Sequence, residues 1–266
     1  MQKLLTLLIT LFVCATTYAQ TGVSVSPPRL YFETDPGQSS TQKILVSNVS
    51  INNTLELAVS LGDWKYSNKG ENLMFPADSL DTSCASWVSI PQQHNYFSLQ
   101  PGEKKEIEVT LTTPNTLTGE TPVHTAMLYV TQMNPIDDVD SQGANIRVSV
   151  RSGIKLFHKT LATQRRSIEI QNLLFNKKTK RVEFHFENTG NIWADGIIYP
   201  ELLNTETGQK TTIKPIVFYS MPDDYRETDI ILPADLEKGN YVATIIIDYG
   251  DENTIEMAEL TFTYDE

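Results

Sequence analysis

The sequence predicts an all-β protein with two tandem immunoglobulin-like β-sandwich domains. Short segments that alternate apolar and polar residues recur along the chain, and turn residues separate them at roughly the 8 to 12 residue spacing of such sandwiches. No long segment shows the 3.6-residue period of an amphipathic helix. The length of 266 residues suits two domains of ordinary size better than one. We therefore expect an N-terminal sandwich over residues 20–160 and a C-terminal immunoglobulin- or fibronectin-like sandwich over residues 161–266.

The first 19 residues are typical of a signal peptide for export. Lys3 precedes an apolar run that is well short of the ~20 residues needed to span a bilayer, and the small residue Ala19 precedes Gln20. We expect cleavage near Ala19 and an exported mature chain without a membrane span. Cleavage there would remove Cys14 and leave Cys84 as the only cysteine, so no internal disulfide is expected. We interpret Cys84 as a small buried thiol rather than a nucleophile, because no histidine lies near it in sequence.

Composition and spacing argue against several classes of function. The chain has 33 acidic and 21 basic residues, a formal charge of -12 and no basic stripe, so a nucleic-acid partner is not expected. The histidines lack the spacing of metal ligands, and the acidic segment 136–143 fits a solvated loop better than a calcium site. No nucleophile elbow or paired-acid motif is present in the sequence. We expect no metal, no cofactor and no enzymatic activity.

The predicted strands of the first domain follow one another at short intervals. They cover residues 23–32, 43–48, 55–61, 87–90, 97–99, 107–111, 123–131 and 145–157. Pro27 and Pro28 place the first strand at a sheet edge or at a switch between sheets, because proline cannot donate to a ladder. We expect Trp64 to close the third strand and residues 65–86 to form a loop with one short edge strand.

The second domain shows the same class of pattern. Its predicted strands cover residues 167–173, 181–187, 196–203, 211–218, 242–248 and 254–263. Turn residues at 188–191 and 205–208 separate the second, third and fourth of these strands. The segment 236–241 has the pattern of a tyrosine corner, in which the Tyr241 hydroxyl bonds back to the backbone before the next strand.

Residues 145–160 carry the most informative pattern in the chain. Ile146, Val148 and Val150 alternate with polar residues, so they fall on one face of a half-exposed strand. Lys155 then stands alone among apolar neighbours. From the residues alone, this strand could belong to the core, or it could be an edge kept open for a partner.

Four stretches of the first domain resemble the PapD-like periplasmic pilus-assembly chaperones. They are residues 28–32, 45–48, 99–103 and 146–157, of which the last matches most closely. The resemblance implies a periplasmic, non-enzymatic protein that binds pilus or fimbrial subunits. It also implies that the chaperone caps the exposed groove of a subunit by adding a strand, which is known as donor-strand complementation, and delivers the subunit for assembly.

The resemblance also implies roles for particular residues. Arg29 and Lys155 would lie in the cleft between the domains and bind the C-terminal carboxylate of the subunit, because both donate charge-assisted hydrogen bonds. Ile146, Val148 and Val150 would fill the groove of the subunit. The apolar strand would supply most of the affinity and the charged pair would set the register. The implied partners are secreted subunits, with an outer-membrane usher and a self-capping homodimer left open.

Other features depart from this family and keep a second interpretation open. The second domain has no cysteine pair, and its segment 239–241 is closer to fibronectin-like or adhesion-type domains. The chain is acidic, whereas well-known members of the family tend to be basic. The alternative is a non-catalytic adhesion or cell-envelope structural protein. In that case Arg29 and Lys155 would be ordinary surface residues.

Overall fold

A computed structural model describes residues 22–117, 123–139, 142–250 and 255–265 of the chain. The predicted signal peptide, with Cys14 and the expected cleavage at Ala19, lies outside the described residues. The described part forms two β-sandwiches in tandem, which confirms the predicted fold class. None of its helices is long and apolar enough to cross a membrane. The limits of the two domains stay a prediction.

Twelve strands in the described residues build the first sandwich. They are β1 (Val23–Ser26), β2 (Arg29–Glu33), β3 (Ser39–Asn48), β4 (Leu55–Tyr66), β5 (Asn72–Pro76), β6 (Val88–Ser89), β7 (Tyr96–Leu99), β8 (Lys104–Thr112), β9 (Val123–Gln132), β10 (Ile136–Val139), β11 (Asn145–Val148) and β12 (Arg151–Lys159). One sheet has the order β1-β3-β8-β6. The opposing sheet has the order β2-β12-β9-β4-β5, with β7 also paired to β4. Strands β10 and β11 pair only with each other.

The first segment changes sheets at its two prolines, as predicted. β1 pairs with β3 in one sheet, whereas β2 pairs in parallel with β12 in the other. The Ser26–Pro27 peptide bond at this switch is cis. The switch carries the chain from the edge of one sheet to the edge of the other, and so it places Arg29 beside β12.

Three predictions for the first domain need correction. Trp64 does not close its strand, because β4 continues to Tyr66 while β5 pairs along that end. The acidic segment 136–143 is not simply a loop, since β10 pairs with β11 across it. The predicted strand 145–157 is interrupted, because Ser149 and Val150 lie between β11 and β12. The Ser149 hydroxyl donates to the Gln132 carbonyl there (2.6 Å).

In the part of the second domain that the structure describes, eight strands build the sandwich. They are β13 (Ile168–Asn176), β14 (Arg181–Asn188), β15 (Ala194–Asn204), β16 (Lys210–Thr212), β17 (Ile216–Ser220), β18 (Tyr225–Ile231), β19 (Gly239–Asp248) and β20 (Ile255–Tyr264). The sheets have the orders β13-β14-β18 and β16-β15-β19-β20, with β17 paired to β15. The Tyr241 hydroxyl donates to the Glu237 carbonyl (2.8 Å), which confirms the tyrosine corner. The predicted strand 211–218 is in fact two strands, and β18 was not predicted.

Each sandwich has its own apolar core. Fully buried aliphatic residues such as Ile44, Leu57 and Leu128 fill the first core, and Phe184 and Ile245 belong to the second. Each such side chain contributes roughly 1.5 to 3 kcal/mol by leaving water. The core of the first sandwich also contains Cys84, which confirms a buried thiol; burial raises the pKa of this thiol. Apolar packing therefore stabilises each sandwich in the part of the chain that the structure describes.

Two histidines that are distant in sequence meet at the edge of the first core. His124 on β9 faces His158 on β12, and their ring centroids are 5.5 Å apart, beside Trp87. The Nε2 atom of His158 lies 3.0 Å from the Thr34 carbonyl, whereas Nδ1 of each histidine has no partner in the described residues. Burial and the neighbouring His158 lower the pKa of His124 to about 4. Burial also lowers the pKa of His158, against the effect of the Thr34 carbonyl and Asp35.

We expect this pair to make the first sandwich sensitive to acid. The unfolded chain protonates its histidines near pH 6.5, whereas folded His124 resists protonation until about pH 4. The free energy of unfolding should therefore fall as the pH drops through this interval, by about 3 kcal/mol for His124. Urea unfolding at pH 7 and pH 4.5 measures the effect. A His124→Phe variant should lose part of this dependence, and an unchanged slope would contradict the assignment.

Candidate functional site

The two predicted cations lie side by side on the outer face of the first domain. In the parallel pairing of β2 with β12, Lys155 is the register partner of Arg29. Side chains alternate along β12, so Ile154 and Leu156 enter the core while Lys155 and Phe157 point to the opposite face. The structure thus brings the two cations together. Their role in binding a carboxylate stays a prediction.

Lys155 sits in an aromatic and polar environment. Its Nζ atom donates to the Tyr66 hydroxyl (2.9 Å) and to Oδ1 of Asn72 (2.6 Å). The same atom lies 3.8 Å from the ring centroid of Trp64 and 4.1 Å from that of Tyr66. Burial, together with the positive charges of Arg29 and Arg226, lowers the pKa of Lys155 to about 8. Among the described residues it pairs with no carboxylate.

Arg29 connects the first domain to the second. Its guanidinium carbon lies 4.3 Å from the ring centroid of Tyr219 on β17. Tyr31, on the same strand as Arg29, stacks on Phe157 with centroids 5.1 Å apart and also contacts Trp193 at 5.6 Å. The two cations therefore lie at the bottom of a cleft whose opposite wall belongs to the second domain.

Aromatic and apolar side chains line this cleft. Trp193, Tyr219 and Met221 of the second domain pack against a cluster of the first that consists of Trp64, Tyr66, Met127, Tyr129 and Phe157. The cavity between Arg29, Tyr31, Tyr219 and their neighbours has a volume of only about 10 Å³, so the two domains pack closely at this point. Apolar walls weaken the competition from water, so a charged partner of the cations would be bound more strongly here than on an open surface.

Sequence reasoning missed two charged residues of the second domain that face the cleft. The guanidinium carbon of Arg226 on β18 lies 5.2 Å from the ring centroid of Tyr66, and its side chain is buried. Burial raises the pKa of Asp224 to about 6, against the hydrogen bond from the Met221 amide and the charge of Arg226. No motif in the first domain could reveal these residues, because they reach the cleft only through the packing of the two domains.

The three residues predicted to fill the groove of the subunit precede β12, the strand that carries Lys155. Ile146 is 38% exposed and Val148 is 36% exposed on β11, whereas Val150 is half-buried against the first core. β11 pairs with β10 along one edge, and no described strand pairs with its other edge. In β12, residues 151–154 have β9 on one side only, since the pairing with β2 begins at Lys155. The unpaired strand edges therefore cover residues 145–148 of β11 and 151–154 of β12, with the interruption at Ser149 and Val150 between them, and the edge of β12 ends beside Lys155.

Comparison with known proteins gives similar structures but no matching sequence family. Neither a family model nor a curated protein sequence matches this chain. Its structure is similar to the class 5 fimbriae chaperone CfaA, with 13% identity, a TM-score of 0.49, and coverage of 90% of this chain and 98% of that one. A chain from the Salmonella enterica complex of the SafA pilin with the SafB chaperone has 13% identity, a TM-score of 0.47, and coverage of 92% and 99%. The E. coli chaperone DraB has 16% identity, a TM-score of 0.44, and coverage of 92% and 99%.

These proteins are of the class that the sequence motifs resemble. Their identities to this chain are low and the TM-scores are below 0.5, so no residue role is transferred from them. The function proposed below rests on the sequence motifs and on the cleft, the cations and the open edge of this chain.

Proposed function

We propose that this protein is a non-enzymatic periplasmic chaperone for secreted pilus-type subunits. It binds a subunit by donor-strand complementation along the open edge of β11 and β12, and it holds the subunit's C-terminal carboxylate at Arg29 and Lys155. The observation that carries the proposal is that the unpaired edge of β12 leads directly to the two cations. The signal peptide, cleaved near Ala19, would bring the chain to the periplasm.

The cations favour a carboxylate as their ligand. A guanidinium offers a planar pair of donors and an ammonium offers a compact charge, and a C-terminal carboxylate has two oxygens that can accept from both. Both side chains lie in a cleft with aromatic walls, and neither is neutralised by a carboxylate among the described residues. An incoming carboxylate therefore finds donors that are already positioned.

The open edge favours an extended segment as the rest of the ligand. Unpaired N–H and C=O groups on an edge strand are a template for another strand. Val148 lies seven residues before Lys155 and Ile146 lies nine before it, or roughly 23 Å and roughly 30 Å away at ~3.3 Å per residue of extended chain. An extended segment of the subunit whose C-terminal carboxylate is bound at Lys155 would therefore pair back along this edge to Val148 and Ile146. These two exposed side chains can fill a groove in the subunit.

The proposal includes further partners. After capture, the chaperone would deliver the subunit to an outer-membrane usher. In the absence of a subunit, a second copy of the chain could pair with the open edge and cap it as a homodimer. Unpaired edges are a liability that proteins usually cover, which is the physical reason to expect such capping.

The proposal predicts that Val148→Asp weakens capture of the subunit. A carboxylate at this exposed position would enter the apolar groove of the partner, and we expect a loss of affinity of at least about tenfold. The measurement is a pull-down from the periplasm with the tagged chain, with mass spectrometry to identify bound proteins. Asn145→Asp is the matched control, because it adds the same charge to β11 on the opposite face. Equal capture by wild type and Val148→Asp would remove strand donation from the proposal.

The alternative function, a cell-envelope structural or adhesion protein, has one observation in its favour. Large apolar side chains are exposed on β17 and β20, two edge strands of one sheet of the second domain, including Val217 at 61%, Ile255 at 59% and Met257 at 57%. Such a surface can bind another protein. The alternative requires display on the cell surface, so protease treatment of intact cells should cleave the protein. Full protection from the protease would contradict this alternative.

A further inference from the structure

A turn of the first domain reaches across to β18 of the second. The turn lies between β4 and β5 and comprises residues 67–71. The Glu227 amide donates to the Asn68 carbonyl (2.8 Å), and Nη1 of Arg226 donates to the Ser67 carbonyl (3.1 Å). The Asn68 side chain adds a longer contact to Glu227 (3.4 Å). Two consecutive residues of each domain are thus joined directly.

Hydrogen bonds within the turn hold the Ser67 and Asn68 carbonyls in place. The Ser67 amide donates to the Glu71 carbonyl (2.8 Å), the Gly70 amide donates to the Ser67 carbonyl (2.9 Å), and the Ser67 hydroxyl accepts from the Glu71 amide (3.1 Å). Because the turn satisfies its own groups, it does not depend on the second domain for its shape. We call the contact between this turn and Arg226–Glu227 the clasp.

Gly70 leaves the space that the guanidinium occupies. Its φ is +84°, and a Cβ atom at this position would lie 2.1 Å from Nη2 of Arg226. Any side chain at Gly70 would therefore push the guanidinium away from the Ser67 carbonyl. The guanidinium is the mobile end of a long side chain, so it can move without disrupting either core.

The clasp is also in contact with the cation site. The Arg226 guanidinium faces the ring of Tyr66, whose hydroxyl accepts from Lys155. Tyr66 ends β4 and directly precedes the turn, so the hydrogen bond from Lys155 on β12 to the Tyr66 hydroxyl connects the lysine to the base of the clasp. The second domain likewise carries Arg226 on β18 and Tyr219 on β17, two strands that are linked by the turn around Asp224.

We infer that Arg226 is a positioning residue, and that the clasp fixes the second-domain wall of the cleft against Arg29 and Lys155. The clasp itself is a property of the free protein. Only its consequence for capture rests on the proposed function. Opening the clasp should let the two domains move relative to each other and should separate Tyr219 from Arg29.

The clasp can be tested in the full chain by comparing two glycine variants. Gly70→Ala strains a positive-φ turn and displaces Arg226, whereas Gly102→Ala strains a similar turn (φ +73°) where a Cβ would contact nothing within 4 Å. Spin labels at Lys104→Cys and Lys214→Cys, one exposed site in each domain, report the distance between the domains by pulsed electron paramagnetic resonance. The native Cys84 is buried and should not react with the label.

We expect a broadened or shifted distance distribution for Gly70→Ala and a wild-type distribution for Gly102→Ala. The same distribution in both variants would overturn the clasp. Since no subunit is present in this measurement, its outcome is independent of the proposed function. If the clasp is found but no subunit is captured by the wild type, then the chaperone proposal fails while the clasp stands.

A second measurement distinguishes an effect of Arg226 on the cation site from an effect on the stability of the fold alone. The charge of Arg226 helps to lower the pKa of Lys155. Arg226→Gln should therefore raise the pKa of Lys155 above about 8, whereas Arg226→Lys keeps the charge and should largely retain the wild-type value. NMR titration of the lysine Nζ environment measures these values. An unchanged pKa in Arg226→Gln would show that the guanidinium does not act on the cation site and would overturn that part of the inference.

Discussion

Replacement of both cleft cations, as Arg29→Met with Lys155→Met, is expected to reduce the affinity for a captured subunit by at least about 100-fold. Each charge-assisted hydrogen bond contributes roughly 1.5 to 3 kcal/mol, and the lower figure applies because both side chains are partly exposed. Methionine keeps much of the apolar volume of each side chain, so the cleft should stay packed. Binding of the purified subunit, identified by the pull-down, is measured by calorimetry with each chaperone variant.

The subunit provides the matched control for this experiment. An extension of two residues at its C-terminus moves the carboxylate away from the cations without changing the donor groove. If Arg29 and Lys155 bind that carboxylate, the extension should weaken binding to the wild type and have little effect on the double variant. Equal losses with both forms of the chaperone would show that the cations do not bind the terminal carboxylate.

The sequence predicted the local parts of this structure well. Alternation of apolar residues located most strands, because burial on one face of a sheet imposes a period of two. The prolines at 27 and 28 indicated the switch between sheets, and the segment around Tyr241 indicated the tyrosine corner. In each case the residues that cause the structural feature lie within a few positions of the sequence pattern that predicts it. A single sequence is therefore sufficient to predict the feature.

The errors have different physical causes. β4 extends past Trp64 to Tyr66, where a loop was expected, because β5 pairs along this end and side chains of the second domain pack on Trp64 and Tyr66. β18 begins with a polar segment, and its Arg226 is buried where it donates to the Ser67 carbonyl of the first domain. These features depend on how two domains meet. Local patterns carry no signal for such contacts.

The candidate site was predicted only in part for the same reason. The motif resemblance pointed to Arg29 and Lys155, and the structure places them together. It does not place Val150 with Ile146 and Val148, because the Ser149 hydrogen bond to Gln132 interrupts the strand and turns Val150 towards the core. A two-residue period cannot show such an interruption. The apolar surface proposed for the groove of a subunit is therefore centred on Ile146 and Val148.

Capture of a subunit is also expected to weaken in alkaline solution because Lys155 loses its proton. In the free protein, burial first, and then the charges of Arg29 and Arg226, lower the pKa of Lys155 to about 8. A bound carboxylate favours the ammonium form and raises this pKa. Affinity should therefore be nearly constant from pH 7 to 8 and then fall by up to about tenfold per pH unit until the pH reaches the pKa of the complex.

Lys155→Arg is the variant that tests this assignment, because its side chain stays charged over the whole range. We expect the affinity of this variant to change little between pH 7 and pH 10, even if its value at pH 7 differs from that of the wild type. Tyr66, the hydroxyl partner of Lys155, does not interfere, since burial raises its pKa to about 12. If Lys155→Arg loses affinity above pH 8 as the wild type does, the loss of affinity must come from another titrating group. The ammonium of Lys155 would then have no role in binding the carboxylate.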